Sequence, residues 1–184
     1  MLEIIATLVD ALWFALPIYV ANAAPVLPWY LIADKSGKKW RIRNVKRTNK
    51  SDFILNLIVY AHKPINKRLF GEHRSVFNTA LVIITAFFTT IAQGREPLVG
   101  AVLGVGAVFG ICLNSYIKRR LGIREGGPFP VMDQLDFVIG AQLAYYAAFN
   151  SMFPNWLVIF AMTLVLHPMT CIIAHLLGLK EEWL

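Results

Sequence analysis

The chain has 184 residues, of which 57% are hydrophobic and 16% are charged, and its mean hydropathy is +0.56. A water-soluble domain of this length cannot bury so much apolar surface, so the composition excludes an ordinary soluble protein and indicates that lipid surrounds the chain. The formal net charge of +7 is typical of a chain that faces anionic lipid headgroups or a phosphate-bearing ligand, and we expect no nucleic acid partner.

Five stretches of the sequence are long and apolar enough to cross a bilayer, which needs about 20 predominantly apolar residues per helix. They cover residues 11–33, 76–92, 97–117, 129–149 and 154–179. The first stretch can also begin nearer Leu2. The sequence therefore predicts an all-α integral membrane protein with five transmembrane helices, folded as a single membrane domain over residues 1–184. A long basic loop at 34–75 follows the first helix, and a short loop at 118–128 follows the third.

The basic residues are distributed unevenly between the two sides of such a protein. Seventeen of the 18 lysines and arginines fall in the loop 34–75, in the loop 118–128 or after the fifth span, whereas Arg95 alone lies on the other side. Basic loops stay in the cytoplasm. The pattern predicts a multi-pass protein of the cell membrane with its N-terminus outside, its C-terminus in the cytoplasm and its active site on the cytoplasmic side. Attraction to anionic lipid headgroups would account for many of the same charges.

The first span contains one polar side chain, Asn22, within the apolar sequence "YVANAAPVLPWY". Pro25 and Pro28 follow it and leave backbone carbonyls without helical partners unless other groups satisfy them. Two interpretations stay open for Asn22. It either holds neighbouring helices together or lines a polar cavity at the site.

The third span begins with a run of small residues, "GAVLGVGAVFG". Gly100 and Gly104 form one small-xxx-small pair, and Gly106 and Gly110 form a second. Pairs of this kind allow helices to approach closely in a membrane. We therefore expect this span to pack tightly against its neighbours.

Polar and basic groups follow at the end of the third span, in "NSYIKRRLGIREGG". Asn114 and Lys118 are four residues apart and share a helical face, as do Ser115 and Arg119. An amide, a hydroxyl and several cations beside a pair of carboxylates are suited to bind nucleotide phosphates. The alternative is a basic cluster that only marks the membrane edge.

Two aspartates, Asp133 and Asp136, lie at the start of the fourth span. Three residues apart, they share a helical face. A charged side chain at bilayer depth costs about 2.5–3.5 kcal/mol, and two acids also repel each other. A positive charge must therefore compensate them, and one candidate is an ion pair with a basic residue of the segment 118–120.

The other candidate is a divalent cation. Mg²⁺ prefers oxygen ligands and is commonly held by one or two carboxylates together with substrate phosphates. Pro128 and Pro130 predict that the helix begins just before the acids, so that both lie in its first turns. The N-terminus of that helix could then also face phosphate oxygens.

Taken together, "SYIKRRLGI", the Gly/Pro loop 126–130 and "MDQLDFVIGA" resemble the signature region of the archaeal CDP-archaeol synthases, a branch of the CDP-diacylglycerol synthase superfamily. The segment "LPIYVANAAPVL" is similar to the first helix of that family. Three departures stand out. Pro64-Ile65-Asn66 replaces Pro-Ile-Asp, the segment 71–75 reads Gly-Glu-His-Arg-Ser instead of Gly-Asp-x-Lys-Thr, and Ile111 stands after Gly110 where an acid is usual.

The resemblance implies transfer of CMP from CTP to the phosphate of a lipid with two geranylgeranyl ether chains, 2,3-bis-O-geranylgeranyl-sn-glycerol 1-phosphate. The products would be CDP-archaeol, used in membrane phospholipid biosynthesis, and pyrophosphate. We expect Asp133 and Asp136 to bind Mg²⁺ and, with Lys118, to be catalytic. The residues expected to bind CTP or its phosphates are Asn22, Arg74, Ser75, Asn114, Ser115, Lys118, Arg119 and Gln134.

Three other classes of protein are compatible with a polytopic membrane chain. An ion or solute transporter could use the acid pair as its path, although both acids lie near one interface and no inverted repeat is visible. A CDP-alcohol phosphatidyltransferase would carry a long Asp-Gly-x-x-Ala-Arg pattern, which this sequence lacks. A purely structural membrane protein is the third alternative.

Overall fold

Helices form nearly all of the part of the chain that the computed structural model describes, namely residues 1–25, 63–70, 74–124 and 127–176. In chain order they are α1 (Leu2–Ala23), α2 (Lys67–Phe70), α3 (Val76–Ala92), α4 (Pro97–Arg120), α5 (Met132–Phe149) and α6 (Trp156–Leu176). These ranges contain no strand, only an isolated bridge between Pro64 and Ser75. The all-helical prediction is confirmed for the described residues, and most of the predicted loop 34–75 lies outside them.

Three of the helices are long and apolar enough to cross a membrane: Leu2–Ala23, Pro97–Arg120 and Trp156–Ile173. The helix α3 is apolar but has 17 residues, and α5 has 18 and carries polar residues along its length. The first helix begins at Leu2, the earlier of the two starts considered. The third predicted span continues three residues beyond 117, so the whole basic triplet 118–120 belongs to the last turn of α4.

Glycines bring α4 into backbone contact with both of its neighbours. On one face, a Cβ added to Gly104 would lie 2.9 Å from the Cα of Ile83 in α3. On another face, a Cβ on Gly106 would lie 2.6 Å from the carbonyl oxygen of Gly140 in α5, and a Cβ on Gly110 would overlap the carbonyl oxygen of Asp136. The expected close packing of this helix is confirmed, and the second contact includes the backbone of one predicted site residue.

The backbone hydrogen bond that Pro17 removes from α1 is replaced by a side chain from the connection between α3 and α4. Pro17 has no N–H, so the carbonyl of Trp13 has no partner within the helix. The Gln93 side chain donates its Nε2 hydrogen to that carbonyl oxygen at 2.5 Å. The guanidinium of Arg95 lies 4.2 Å from the Phe14 ring centroid, and its Nη1 donates to the Phe14 carbonyl at 3.3 Å. The basic residue that stands apart from the others thus contacts α1.

The helix α6 and the segment that precedes it pack against α1 and α5 through a hydroxyl pair and aromatic side chains, respectively. Phe14 contacts the rings of Tyr145 and Phe153, with centroid separations of 5.8 and 5.2 Å. One and a half turns further along α1, the hydroxyl oxygens of Tyr19 and Thr163 are 2.7 Å apart. These contacts hold α1 and α6 beside α5, whose first turns carry the two aspartates.

Candidate active site

The candidate site lies where the end of α4 meets the beginning of α5. A tight turn precedes α5: Met132 N donates to the Pro130 carbonyl oxygen at 2.8 Å, and Val131 between them has φ 68° and ψ −52°. This is the geometry of a γ-turn that is rare and strained, particularly for a β-branched residue. The predicted effect of the two prolines is confirmed, since the helix begins one residue before Asp133. The turn directs that side chain back toward α4.

Asp133 is surrounded by hydrogen-bond donors. Lys118 Nζ lies 2.9 Å from each of its carboxylate oxygens. The backbone N–H of Phe129 donates to Oδ2 at 2.8 Å, and Asn114 Nδ2 donates to Oδ1, also at 2.8 Å. The ion pair considered for one of the aspartates is therefore present, and its cation is Lys118.

Asp136 lies deeper than Asp133, with 8% of its surface exposed. The same Nδ2 atom of Asn114 donates to its Oδ2 at 2.9 Å, and the N–H of Phe137 donates to its Oδ1 at 2.6 Å. Asn114 therefore bridges the two carboxylates and offsets their mutual repulsion. The positive charge of Arg74 also acts on Asp136.

The segment before α3 brings a second cation to the cluster. Arg74 Nε donates to Ser115 Oγ at 3.1 Å, which connects two residues 41 positions apart in the sequence. Ser75 has 2% of its surface exposed, and its Oγ accepts a hydrogen bond from Asn78 N at 3.2 Å, as the N-cap of α3. Arg74 therefore reaches the site, whereas the Ser75 hydroxyl is used to begin the helix that positions it.

Three predicted site residues lie away from these contacts. Arg119 faces the following loop, where its Nη2 donates to the Arg124 carbonyl oxygen at 3.0 Å. Gln134 is half-buried in the first turn of α5, and Asn22 is half-buried in the last turn of α1. Among the described residues, no side-chain hydrogen bond joins any of the three to the two aspartates.

Sequence reasoning missed two contributors to the site. One is the backbone N–H of Phe129, which holds Asp133, and only the fold of the Gly/Pro loop reveals it. The other is Gly110, whose missing side chain lets the Asp136 backbone approach α4. The second small-xxx-small pair was a visible signal for that approach, but it did not indicate which helix would be the neighbour.

The oxygen atoms of the site suit a hard divalent cation such as Mg²⁺. Within the described ranges, no cluster of three or more His, Cys, Asp or Glu side chains occurs. The site instead offers two carboxylates and the Oδ1 atom of Asn114, which is buried without a hydrogen-bond partner in a side chain that is 3% exposed. Orphaned buried oxygens are unusual in native structures. Carboxylate and amide oxygens are the ligands that such a cation prefers.

The family model and the similar known sequences that match this chain name the same family. A family model described as CDP-archaeol synthase (CarS-like) matches residues 67–184. The CDP-archaeol synthase of Methanopyrus kandleri is 32% identical over 178 residues, which cover 92% of this chain and 90% of that protein. The CDP-archaeol synthase of Haloarcula marismortui is 33% identical over 195 residues, covering 98% of this chain and 99% of that protein.

A solved structure has the same fold. It belongs to an intramembrane enzyme for the biosynthesis of archaeal membrane lipids, and it matches with a TM-score of 0.61 over 90% of this chain and 94% of that one. The identity is 23%, so this likeness concerns the fold alone. The full-length sequence relatives leave the transporter alternative without support. The chain belongs to the CDP-archaeol synthase family, and it is a membrane-embedded cytidylyltransferase.

Proposed function

We propose that the enzyme transfers CMP from CTP to the phosphate of 2,3-bis-O-geranylgeranyl-sn-glycerol 1-phosphate, giving CDP-archaeol and pyrophosphate, and that it depends on Mg²⁺. One observation carries the proposal. The Asn114 amide joins the half-buried Asp133 and the buried Asp136 into one oxygen cluster, in which Lys118 pairs with Asp133 and the charge of Arg74 acts on Asp136. The motifs of this region and the family of the chain support the same reaction.

The reaction needs positioning and charge stabilisation more than it needs a base. The attacking group is a phosphomonoester, whose second pKa is about 6, so it is largely deprotonated at neutral pH. The barrier lies in bringing anions together and in the charge that grows on the leaving pyrophosphate. The cations of the site serve both purposes, and no residue has to remove a proton from the nucleophile.

The residues that would hold Mg²⁺ are Asp133, Asp136 and the free Oδ1 of Asn114. The ion, when bound, supplies neutralisation of phosphate charge. Lys118 now contacts both oxygens of Asp133, and a phosphate group can take over that ammonium as its partner. Arg74, held by Ser115, orients a second phosphate group. Asn22, Arg119 and Gln134 are proposed to contact CTP from the rim, and Ser75 to fix the position of Arg74.

The same proposal includes the arrangement in the membrane. The chain forms one membrane domain in which α1, α3, α4, α5 and α6 cross the bilayer, with the N-terminus outside and the C-terminus in the cytoplasm. Support comes from the distribution of basic residues and from the position of Lys118, Arg119 and Arg120 in the last turn of α4. The site then faces the cytoplasm, where CTP is present.

The Asp136→Asn variant tests the metal-binding role. Asparagine keeps the shape of the side chain and can still accept the hydrogen bond from Asn114, so the fold should survive while the negative charge is lost. We expect Mg²⁺-dependent formation of the CDP-lipid from labelled CTP to fall by about 100-fold or more in lipid nanodiscs. The control is Asp10→Asn on α1, which should keep full activity. Near-normal turnover by Asp136→Asn would refute the assignment.

A further inference from the structure

The segment that precedes α3 brings its two ends together. Ile65 N donates to the Arg74 carbonyl oxygen at 2.8 Å, and an isolated antiparallel bridge joins Pro64 with Ser75. Residues 64–70, which include α2, form the first part of this segment, and we call them the α2 arm. The α2 arm is therefore the part of the chain against which the backbone of Arg74 lies.

The shape of the α2 arm depends on Asn66, the N-cap of α2. Its Oδ1 accepts hydrogen bonds from Arg68 N at 3.1 Å and from Leu69 N at 3.2 Å, and its carbonyl oxygen accepts one from Phe70 N at 2.9 Å. A cap of this kind satisfies N–H groups that have no partner within the helix. Because a helix as short as α2 is not stable by itself, the cap and the packing of α2 on α4 hold it in place. Asn66 is exposed, so its contribution is these hydrogen bonds and not burial.

Arg74 is held at three points, and one of them belongs to the α2 arm. Its Nε donates to Ser115 Oγ on α4 at 3.1 Å, and the next residue, Ser75, is the N-cap of α3. These two points lie on long helices. The third point is the hydrogen bond from Ile65 N to the Arg74 carbonyl oxygen. Ile65 directly precedes Asn66, so the cap of α2 determines where that N–H lies.

We infer that Asn66 is a positioning residue for the proposed reaction. By capping α2 it keeps the Ile65 N–H against the Arg74 carbonyl oxygen, and it thereby fixes the point from which the guanidinium reaches a phosphate of CTP. This inference rests on the proposed function, in which Arg74 binds that phosphate. Asn66 acts through Arg74 and contacts no reacting atom. The property required at position 66 is an acceptor oxygen, and neither the amide hydrogens nor a charge is needed.

The capping role accounts for the asparagine at position 66, where the sequence departs from Pro-Ile-Asp. Asparagine, aspartate and serine are about equally good N-caps, because each places an oxygen within reach of the first N–H groups of the helix, whereas alanine places none there. An acid that bound a metal ion or accepted a proton would lose that function on becoming asparagine. A capping acid would not. The replacement at Asn66 removes a charge and keeps the two hydrogen bonds to α2.

The test compares Asn66→Ala, which removes the capping oxygen, with Asn66→Ser, which keeps a capping oxygen and lacks the amide. For Asn66→Ala in nanodiscs we expect the Kd and the KM for CTP to rise about fivefold and kcat to change less than about twofold, because bound CTP itself helps to hold Arg74. Asn66→Ser should bind CTP as the wild-type protein does. A merely structural defect would lower kcat through loss of folded enzyme and leave the Kd unchanged, and thermal melting reports folding.

Two further measurements show whether Asn66 acts through Arg74. In an Arg74→Ala background, Asn66→Ala should raise the Kd for CTP no further. Hydrogen exchange at the Ile65 amide should be faster in Asn66→Ala than in the wild-type protein and unchanged in Asn66→Ser.

Three results would each overturn the positioning role of Asn66. They are a wild-type Kd in Asn66→Ala, an equal rise of the Kd in Asn66→Ser, and an effect of Asn66→Ala that persists in full without the Arg74 side chain. If the wild-type protein formed no CDP-lipid from CTP, the proposed reaction would be overturned instead. Exchange at the Ile65 amide would then still decide whether the cap holds Ile65 against Arg74.

Discussion

At the scale of single residues, Asn114 is the centre of the site. Its Nδ2 donates to both Asp133 and Asp136, and its Oδ1 has no protein partner in the described structure. One side chain thus reduces the repulsion between two acids and presents a further oxygen beside them. Hydrogen bonds to charged groups are each worth about 1.5–3 kcal/mol. The amide therefore determines how closely the two carboxylates can lie.

The Asn114→Ala variant should separate this role from general packing. Without the amide, the carboxylates repel each other and one proposed oxygen ligand is lost, so we expect turnover to fall by about 10- to 100-fold. The Mg²⁺ concentration that gives half-maximal activity should rise. Titration of activity with Mg²⁺ in nanodiscs measures both effects, with Thr7→Ala on exposed α1 as the control. Unchanged Mg²⁺ dependence would contradict the role given to Asn114.

At the scale of the secondary-structure elements, the contact between α4 and α5 sets the geometry of the site. Gly110 precedes Asn114 by one turn and contacts the Asp136 backbone. The two helices therefore touch immediately beside the side chains that must meet. At the opposite end of the fold, Gln93 supplies the hydrogen bond that Pro17 removes from α1. The connection between α3 and α4 thus also helps to position α1.

The Gly110→Ala variant tests the helix contact. The added Cβ would overlap the Asp136 carbonyl, and overpacking of this kind costs about 1–3 kcal/mol. We expect α5 to move away from Asn114 and activity to fall at least about tenfold. Gly104→Ala is the matched control, since its Cβ meets α3 instead, and it should lose stability with little loss of turnover when assayed well below its melting temperature. Equal activity losses in the two variants would contradict a specific role for the α4–α5 contact.

The hydrogen bond between Gln93 and Trp13 can be tested by a double-mutant cycle. Gln93→Leu leaves the Trp13 carbonyl unpaired, which should lower the free energy of unfolding by about 1–3 kcal/mol. In a Pro17→Ala background, residue 17 regains an N–H that can donate to the same carbonyl. The cost of Gln93→Leu should then largely disappear when unfolding in mixed micelles is measured. A cost independent of residue 17 would exclude the proposed compensation.

At the scale of the whole molecule, the site lies beside the basic end of α4. The triplet Lys118, Arg119 and Arg120 ends that helix, while Arg95 at the other end contacts α1. If basic residues stay in the cytoplasm, the carboxylates lie at the inner face of the membrane. The phosphates of the two proposed substrates, CTP and the lipid, would then meet at the interface between water and hydrocarbon, with the nucleotide in water and the lipid chains in the bilayer.

Single cysteines test this orientation. Glu96→Cys and Leu121→Cys place thiols at exposed positions at opposite ends of α4, in a background in which Cys112 and Cys171 are replaced by alanine. In intact cells, a membrane-impermeant maleimide should react with the cysteine at position 96 and not with that at 121. Permeabilised cells should show labelling at both positions. Labelling of position 121 alone in intact cells would reverse the topology.

The sequence by itself determined the local features of this protein. Apolar length predicted helices at all five positions, the two prolines predicted where α5 begins, and a spacing of three residues placed the two aspartates on one face. The glycine pairs predicted close packing of α4. Each of these features depends on periodicity or on backbone chemistry within a few residues, which is why it can be predicted from the sequence.

Only the tertiary structure decided which side chains meet. That Lys118 pairs with Asp133, that Asn114 bridges both acids and that Arg74 reaches Ser115 all depend on the register of one helix against another. Helical periodicity defines the face of the helix on which a side chain lies. It does not define which side chain of another helix lies opposite, or how far along the two helices that contact occurs. Those are set by backbone contact at Gly110 and by the turn at Val131, where packing over long sequence distances outweighs local preference.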